Sequence, residues 1–302
     1  MFVENIREIH VEPTTVCQAE CSMCARTVLN YHTNKANNSE LSLSRFKELT
    51  KDVVSNLEKI LFCGTLGDPV SCKELLDIIS WVQEVNPSIV IGINTNGAIR
   101  NKKWWTQLAN LIKLNPLSYV VFSIDGLSDT NHVYRVNVSW AKLIENAQSF
   151  IAAGGVAQWD MLVFDHNKHQ VDQARQLAKD MGFRAFRTKI SNRFGTHNTS
   201  LIPPDNQMPE IELEQFSCMA EDTGSVYLSA AGVWYPCCYI HDEHARYVDN
   251  SWGHVLNSVE ERAQGWHNLA RTIISKTPLP VCSKSCGTTL RKGQWKTEIF
   301  FS

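Results

Sequence analysis

The stretch Val11-Glu-Pro-Thr-Thr-Val-Cys-Gln-Ala-Glu-Cys-Ser-Met-Cys-Ala-Arg26 follows a strand-like start to the chain and places three cysteines, Cys17, Cys21 and Cys24, within eight residues. In a C-x3-C-x2-C spacing the sulfurs converge only if a loop wraps around a metal centre, and a loop leaving the end of a first strand does that. Soft thiolates select iron–sulfur clusters, zinc or Cu(I). Three of them leave a tetrahedral ion or a four-iron cluster one ligand short, which marks a site for chemistry, because structural centres close their shell. Zinc is the alternative, with His32 as a possible fourth ligand.

The residues downstream set that loop in a repeating frame. Over about the first 190 residues, strand and helix patterns alternate, the mark of βα units and a parallel sheet. The strand candidates are Ile6–Glu12, Lys59–Cys63, Ile89–Asn94, Ser118–Ile124, Ala157–Phe164 and Arg184–Ile190. Between them, Phe46, Leu49, Val53 and Leu57 share one helical face, and Val171, Ala174, Ala178 and Met181 another. Six strands and five helices predict a partial (β/α)6 TIM-like barrel, with functional residues at the C-terminal strand ends. A stretch rich in proline and polar residues, His197-Asn-Thr-Ser-Leu-Ile-Pro-Pro-Asp-Asn-Gln-Met-Pro209, reads as a linker. The expected organisation is therefore a barrel over residues 1–195, a linker over 196–210, and a small cysteine-rich α+β extension over 211–302.

Composition narrows the class further. At 302 residues, with 43% apolar and 20% charged residues, the chain has the make-up of a soluble globular protein. A formal charge of −2 gives no general reason to expect nucleic acid as a partner. One local exception, Arg184-Ala-Phe-Arg-Thr-Lys-Ile-Ser-Asn-Arg193, puts four cations in ten residues. It reads as a strand edge and solvated loop, with an anion-binding wall near a substrate as the other possibility. No apolar run reaches membrane-spanning length and no secretory signal opens the chain, so the cytoplasm is the expected compartment. Ten cysteines in such a chain point to metal or redox chemistry rather than disulfides.

The cysteine spacing in this βα context resembles the signature of the radical S-adenosylmethionine (SAM) superfamily. The resemblance implies a 4Fe-4S cluster on Cys17, Cys21 and Cys24. Its open iron chelates SAM, and its electron cleaves SAM to a 5′-deoxyadenosyl radical that abstracts hydrogen from substrate. The position before the third cysteine, usually an aromatic adenine contact, is here Met23, whose thioether can pack against a purine. Phe62-Cys-Gly-Thr-Leu-Gly-Asp-Pro69 resembles the family's Gly-Gly-Glu-Pro segment, which implies that Gly67, Asp68 and Pro69 hold the SAM ammonium. Asn94-Thr-Asn-Gly97 resembles the strand end near the ribose, through Asn94 and Asn96. Ser123-Ile-Asp-Gly126 resembles a Ser-x-Asp-Gly segment, bringing in Ser123 and Asp125, and Arg135 stands where a family arginine reaches the SAM carboxylate.

A second cysteine set, Cys218, then Gly232-Val-Trp-Tyr-Pro-Cys237, Cys238, and Pro280-Val-Cys-Ser-Lys-Ser-Cys286, resembles the SPASM/twitch extension in its shorter form. That implies a second, auxiliary 4Fe-4S cluster on Cys218, Cys237, Cys282 and Cys286. A structural four-cysteine zinc site is the alternative, and the Gly-x4-Cys spacing favours Cys237 over Cys238. Cys63, at a strand end, is a candidate donor of a hydrogen atom or proton, against the reading of an inert buried thiol. Trp234, Tyr235, Tyr239, Trp252 and Trp266 could line a pocket but serve a small core equally well.

The implied reaction is a two-electron oxidation of a small-molecule or peptide substrate, with a reducing partner such as flavodoxin or ferredoxin. Cross-linking or side-chain oxidation of a peptide is the alternative. The early first strand leaves no room for a leader-binding domain before it, which favours a small molecule or a short protein segment. A hypothesis of another class is a non-catalytic iron–sulfur or zinc protein on a degenerate barrel. The presence of Asp68, Ser123, Asp125 and Arg135 favours the enzyme.

Overall fold

The apolar runs read as strands all become strands in the computed structural model, which describes residues 6–30, 38–191, 193–194, 200–206, 218–241, 282, 286 and 296–301. They are β1 (Glu8–Val11), β2 (Lys59–Phe62), β3 (Val90–Thr95), β4 (Tyr119–Ser123), β5 (Ala157–Val163) and β6 (Ala185–Ile190). Each pairs in parallel with the next, so all six C-terminal ends lie on one edge of the sheet. Strands covered on both faces read as near-continuous apolar runs. Ile60, Phe62, Ile91, Ile93, Val120, Phe122, Trp159 and Met161 are accordingly fully buried.

Eight helices occur among the described residues. Two are single turns near the cleft, α1 (Ala25–Val28) and α5 (Asn131–Tyr134). Five form the outer layer: α2 (Leu43–Thr50), α3 (Leu75–Val85), α4 (Lys102–Ile112), α6 (Trp140–Ala152) and α7 (Val171–Asp180). The last, α8 (Met219–Thr223), follows Cys218. Side-chain caps explain three of the starts: Ser42, Asn101 and Ser139 accept from the backbone N–H three residues on. The helix expected over Phe46–Leu57 is shorter, since α2 ends at Thr50 and a 3-10 turn over Val54–Asn56 carries the chain into β2. Val53 and Leu57 are still buried, now by that turn.

The sheet is larger than the six strands expected. β7 (Ser225–Leu228) adds in parallel to the free edge of β1, β8 (Trp234–Tyr235) pairs antiparallel with β7, and β9 (Lys296–Ile299) pairs antiparallel with β6. The order is β8-β7-β1-β2-β3-β4-β5-β6-β9, an open, mostly parallel sheet flanked by helices. β7 and β9 come from the stretch read as a separate extension, and nothing in their local pattern ties them to the two edges of the six-stranded sheet. The turn from β7 to β8 passes through Gly232 at φ 75°, a conformation that favours glycine. His32, Trp252, Trp266 and much of the expected linker lie outside the described residues. Among the described residues no helix is long and apolar enough to cross a membrane.

Candidate radical-generating site

A cleft of about 310 Å³ opens where the C-terminal ends of β1 to β6 meet. The loop after β1 enters it first. Glu12, fully buried, accepts from the backbone N–H of Leu66 at 2.6 Å and of Gly67 at 3.1 Å, clamping the loop after β2 against the end of β1. A Cβ on Gly67 would stand 1.8 Å from the Thr14 carbonyl oxygen, and one on Gly64 1.9 Å from that of Gly67. Only glycine lets the two loops approach so closely. Arg26, buried on α1, donates to the Thr15 carbonyl and ties the end of the cysteine loop to its beginning.

Held this way, Cys17, Cys21 and Cys24 all line the cleft. Donors point at their sulfurs. The Ala19 N–H lies 3.4 Å from the Cys17 Sγ, Asn96 Nδ2 lies 3.6 Å from the same atom, and Arg135 Nη1 lies 3.8 Å from the Cys21 Sγ. Such donors suit sulfurs that carry negative charge. Burial pushes the Cys17 thiol upward and that of Cys21 up to about 11, so a bound cation has to stabilise the thiolates. The donor types and their surroundings suit a thiolate-held cluster, while among the described residues no three His, Cys, Asp or Glu side chains are gathered tightly enough to hold a single metal ion. No disulfide joins any of the ten cysteines.

Asp68 anchors the next wall. Its carboxylate accepts from the Val70 N–H at 3.0 Å, from the Thr95 hydroxyl at 2.8 Å, and from Asn96 through its N–H at 2.8 Å and its Nδ2 at 2.6 Å. Asp68 thus welds the β2 loop to the end of β3 while still facing the cleft. Asn94, Asn96, Ser123 and Gly67 line the cleft too. Arg135 lines it from the segment after α5, with its Nε 2.6 Å from Asp125 Oδ2. Asp125 itself is fully buried and acts through Arg135 and through the Leu162 N–H, whose hydrogen it accepts at 2.5 Å.

Not every expected contact is there. The Met23 side chain is fully buried in the hydrophobic core rather than on the cleft wall, because the turn at 21–24 directs it inward while the flanking cysteines face outward. Pro69 is buried as the first residue of a 3-10 turn that Asp68 caps, and does not line the cleft. Cys63 does line it, 3.5 Å from Asn94 Nδ2, with its thiol pushed up to about 12 by burial. Of the aromatic candidates, Trp234 is buried in the core and Tyr235 packs on Tyr227 and His241, while Tyr239 reaches the cleft.

Sequence reasoning passed over several wall residues. Tyr134 and Leu162 are among them. Glu12, which is buried behind the wall and clamps it, was passed over too, although an acid in the last position of a strand run was a visible signal. Lys189, Ser191 and Arg193 line the cleft from the end of β6, so the cationic run meets the site after all. Burial, reinforced by the nearby Arg193, holds the Lys189 amine down to about 8.

The second cysteine set lies in one neighbourhood without forming a closed metal shell. Burial pushes the Cys237 thiol up to about 12, and Cys282, Cys286 and Cys218 all lie close enough to add to that. Cys238 is near enough to Tyr227 and Tyr239 to push both phenols up. Tyr239, on the cleft wall, has its phenol pushed up by burial and by the nearby Cys238, Cys286 and Cys237.

With this geometry in hand, three known proteins are informative. SuiB of Streptococcus suis, in a structure bound to S-adenosylmethionine, superposes over 77% of this chain and 60% of its own at a TM-score of 0.55 and 14% identity. Native anSMEcpe with bound AdoMet superposes over 95% of this chain and 90% of its own at a TM-score of 0.56 and 13% identity.

The chain has the radical SAM fold.

The fold class and family resemblance drawn from the sequence are thus borne out at the level of architecture. In sequence, the Fe-coproporphyrin III synthase of Methanosarcina barkeri is 34% identical over 98 residues, which are 32% of this chain and 23% of that protein. The chain therefore matches less than a quarter of that relative's length and about 60% of SuiB's. No family model matches the chain.

Proposed function

We propose that this protein is a radical SAM enzyme whose cluster is held by Cys17, Cys21 and Cys24. The observation that carries this is the convergence of those thiols with Asp68, Asn96, Ser123 and Arg135 on one cleft at the strand ends. What a reduced four-iron cluster with bound SAM supplies there is one-electron cleavage of the sulfonium to a hydrogen-abstracting 5′-deoxyadenosyl radical.

The protein's own residues have distinct tasks. Asn96 and Arg135 donate toward the sulfurs of Cys17 and Cys21, and Asp68 holds Asn96 in place. The carbonyl-rich loop 64–68 and Asp68 offer acceptors for the SAM ammonium, and Asn94 and Ser123 offer polar contacts farther along the wall. Cys218, Cys237, Cys282 and Cys286 would hold an auxiliary cluster, which would supply an electron acceptor for a net two-electron oxidation of substrate. Tyr239 lies near that set and on the cleft wall. A small reducing protein such as flavodoxin or ferredoxin would supply electrons.

Peptide modification is the second reading. It is favoured by the fold shared with SuiB, also solved bound to the precursor peptide SuiA, and with anSMEcpe, also solved with a Cp18Cys peptide.

Anaerobic reconstitution, iron counting and an assay for 5′-deoxyadenosine test the proposal. About eight irons per chain and reductant-dependent 5′-deoxyadenosine are expected, with Cys17→Ala abolishing SAM cleavage. Stoichiometric zinc, or a fully reconstituted protein that makes no 5′-deoxyadenosine, would sink it.

A further inference from the structure

The loop after β3 does more than bring Asn94 and Asn96 to the cleft. Asp68 accepts from Thr95 and Asn96 at the start of that loop, and it also caps the 3-10 turn Pro69–Ser71 through the Val70 N–H. A carboxylate held from two sides keeps its place only if both sides keep theirs. The far end of the turn is short of partners by construction, because the last carbonyls of a helical turn have none within it. Arg100 meets them. Its Nε donates to the Val70 carbonyl at 2.8 Å, and its Nη2 to those of Ser71 at 3.3 Å and Cys72 at 2.7 Å. A guanidinium presents several donors in one fixed fork, which an ammonium does not.

The segment that carries Arg100 is itself anchored. Asn146 Nδ2 donates to the carbonyls of Gly97 at 2.8 Å and Ile99 at 3.0 Å, and Trp105 Nε1 donates to that of Ile99 at 3.0 Å. Two outer helices, α6 and α4, therefore grip residues 97–99. The Arg100 guanidinium lies over the Trp104 ring, 5.5 Å from its centroid. Its backbone has φ 66°, in the left-handed region that side chains rarely adopt. Such a conformation persists where the surroundings over-determine it. Here three carbonyls stand on one side of the guanidinium and an indole on the other. The contacts close into a ring that runs from Asp68 to Asn96, along the chain to Arg100, across to the carbonyls of residues 70–72, and back to Asp68.

We propose that Arg100 is a positioning residue for SAM: by fixing the turn after Asp68, it sets the placement of the Asp68 carboxylate and so the affinity for the SAM ammonium. This inference deepens the radical SAM reading and rests on it. Asp68 lines the cleft and Arg100 stands behind it, so the arginine acts through the acid.

The test compares the anaerobically reconstituted wild type with Arg100→Gln, Arg100→Lys and a control, Asn86→Ala. Asn86 is buried before the opposite end of β3, where its Nδ2 holds the Val54 and Leu57 carbonyls, so its loss weakens the fold away from the cleft. Calorimetry gives the dissociation constant for SAM, and rates of 5′-deoxyadenosine formation at varied SAM give KM and kcat. Arg100→Gln should raise the dissociation constant and KM about tenfold, the scale on which loss of an orienting group is felt. Its iron content and its kcat at saturating SAM should stay within about twofold of wild type. Arg100→Lys, which keeps the charge and loses the fork, should fall in between. Asn86→Ala should lower stability in urea and leave SAM affinity unchanged. A rise of less than about threefold in Arg100→Gln would overturn the proposal. So would an equal loss of affinity in Asn86→Ala, which would reduce Arg100 to a general contribution to stability. If Arg100→Gln does not fold, Arg100→Lys decides by the same threshold. A wild type that binds no SAM overturns the radical SAM reading itself, and that result is seen before any variant is compared.

Discussion

Arg135 and Asp125 form an ion pair in which the carboxylate is completely buried and the guanidinium reaches past it to the Cys21 sulfur. The acid therefore positions the arginine, and through it one edge of the cysteine loop. Asp125 also accepts from the Leu162 N–H, so it joins the end of β4 to β5.

Removing one partner of such a pair leaves a buried charge uncompensated, at a cost of about 3–5 kcal/mol. Asp125→Ala should lower stability by that order in urea denaturation of the apoprotein. Asp125→Asn, which keeps an acceptor oxygen, should lose less. Equal stability of all three proteins would contradict the pair's structural role.

Close backbone approach at the β2 loop makes a sharper claim. Gly67→Ala should cost about 3 kcal/mol, since the new methyl meets a backbone carbonyl that has nowhere to go. Gly154→Ala, where the nearest atom is a flexible Lys113 carbon 3.6 Å away, should cost only the ~1 kcal/mol of its positive φ. The same denaturation series measures both.

His10 provides a pH signature. Burial lowers its pKa from 6.5 to about 4, and its Nε2–H donates to the Cys63 carbonyl at 2.7 Å. In the unfolded chain the ring takes up a proton near pH 6.5, whereas the folded protein resists until about pH 4. The stability it contributes is thus complete above pH 6.5 and drains away as pH falls toward 4. His10→Gln, which keeps a donor for that carbonyl, should flatten this part of the stability–pH curve.

For the second cysteine set, Cys237→Ala should reduce iron from about eight to about four per chain, while Cys238→Ala should keep about eight. Cys237 ends the Gly-x4-Cys spacing, and Cys218, Cys282 and Cys286 each help to push its thiol up.

What could be read from sequence was whatever local pattern encodes. The six strands, the five outer helices and the C-x3-C-x2-C loop each announce themselves within a dozen residues. Cys17, Asp68, Asn96 and Arg135 reach the cleft because fixed positions at strand ends put them there. Met23 shows the limit: spacing alone does not say whether a side chain in a tight turn faces the cleft or the core, and packing settled it inward. β7 was hidden because its place is set by the open edge of β1, a pairing partner more than two hundred residues away in the chain. The run from Arg184 to Arg193 was ambiguous because only the pairing of β5 with β6 shows which cation meets Asp160 and which the cleft.

The pairing of β1 with β7 also orders events during synthesis. Glu8 to Val11 find their second neighbour only in Ser225 to Leu228, more than two hundred residues later. The strand that leads into the cysteine loop therefore emerges from the ribosome with one edge unsatisfied and keeps it until the late segment arrives. Exposed edges of this kind invite pairing with other chains. Long-range closure of this kind is slow, and the nascent protein is most vulnerable to aggregation until that late pairing forms.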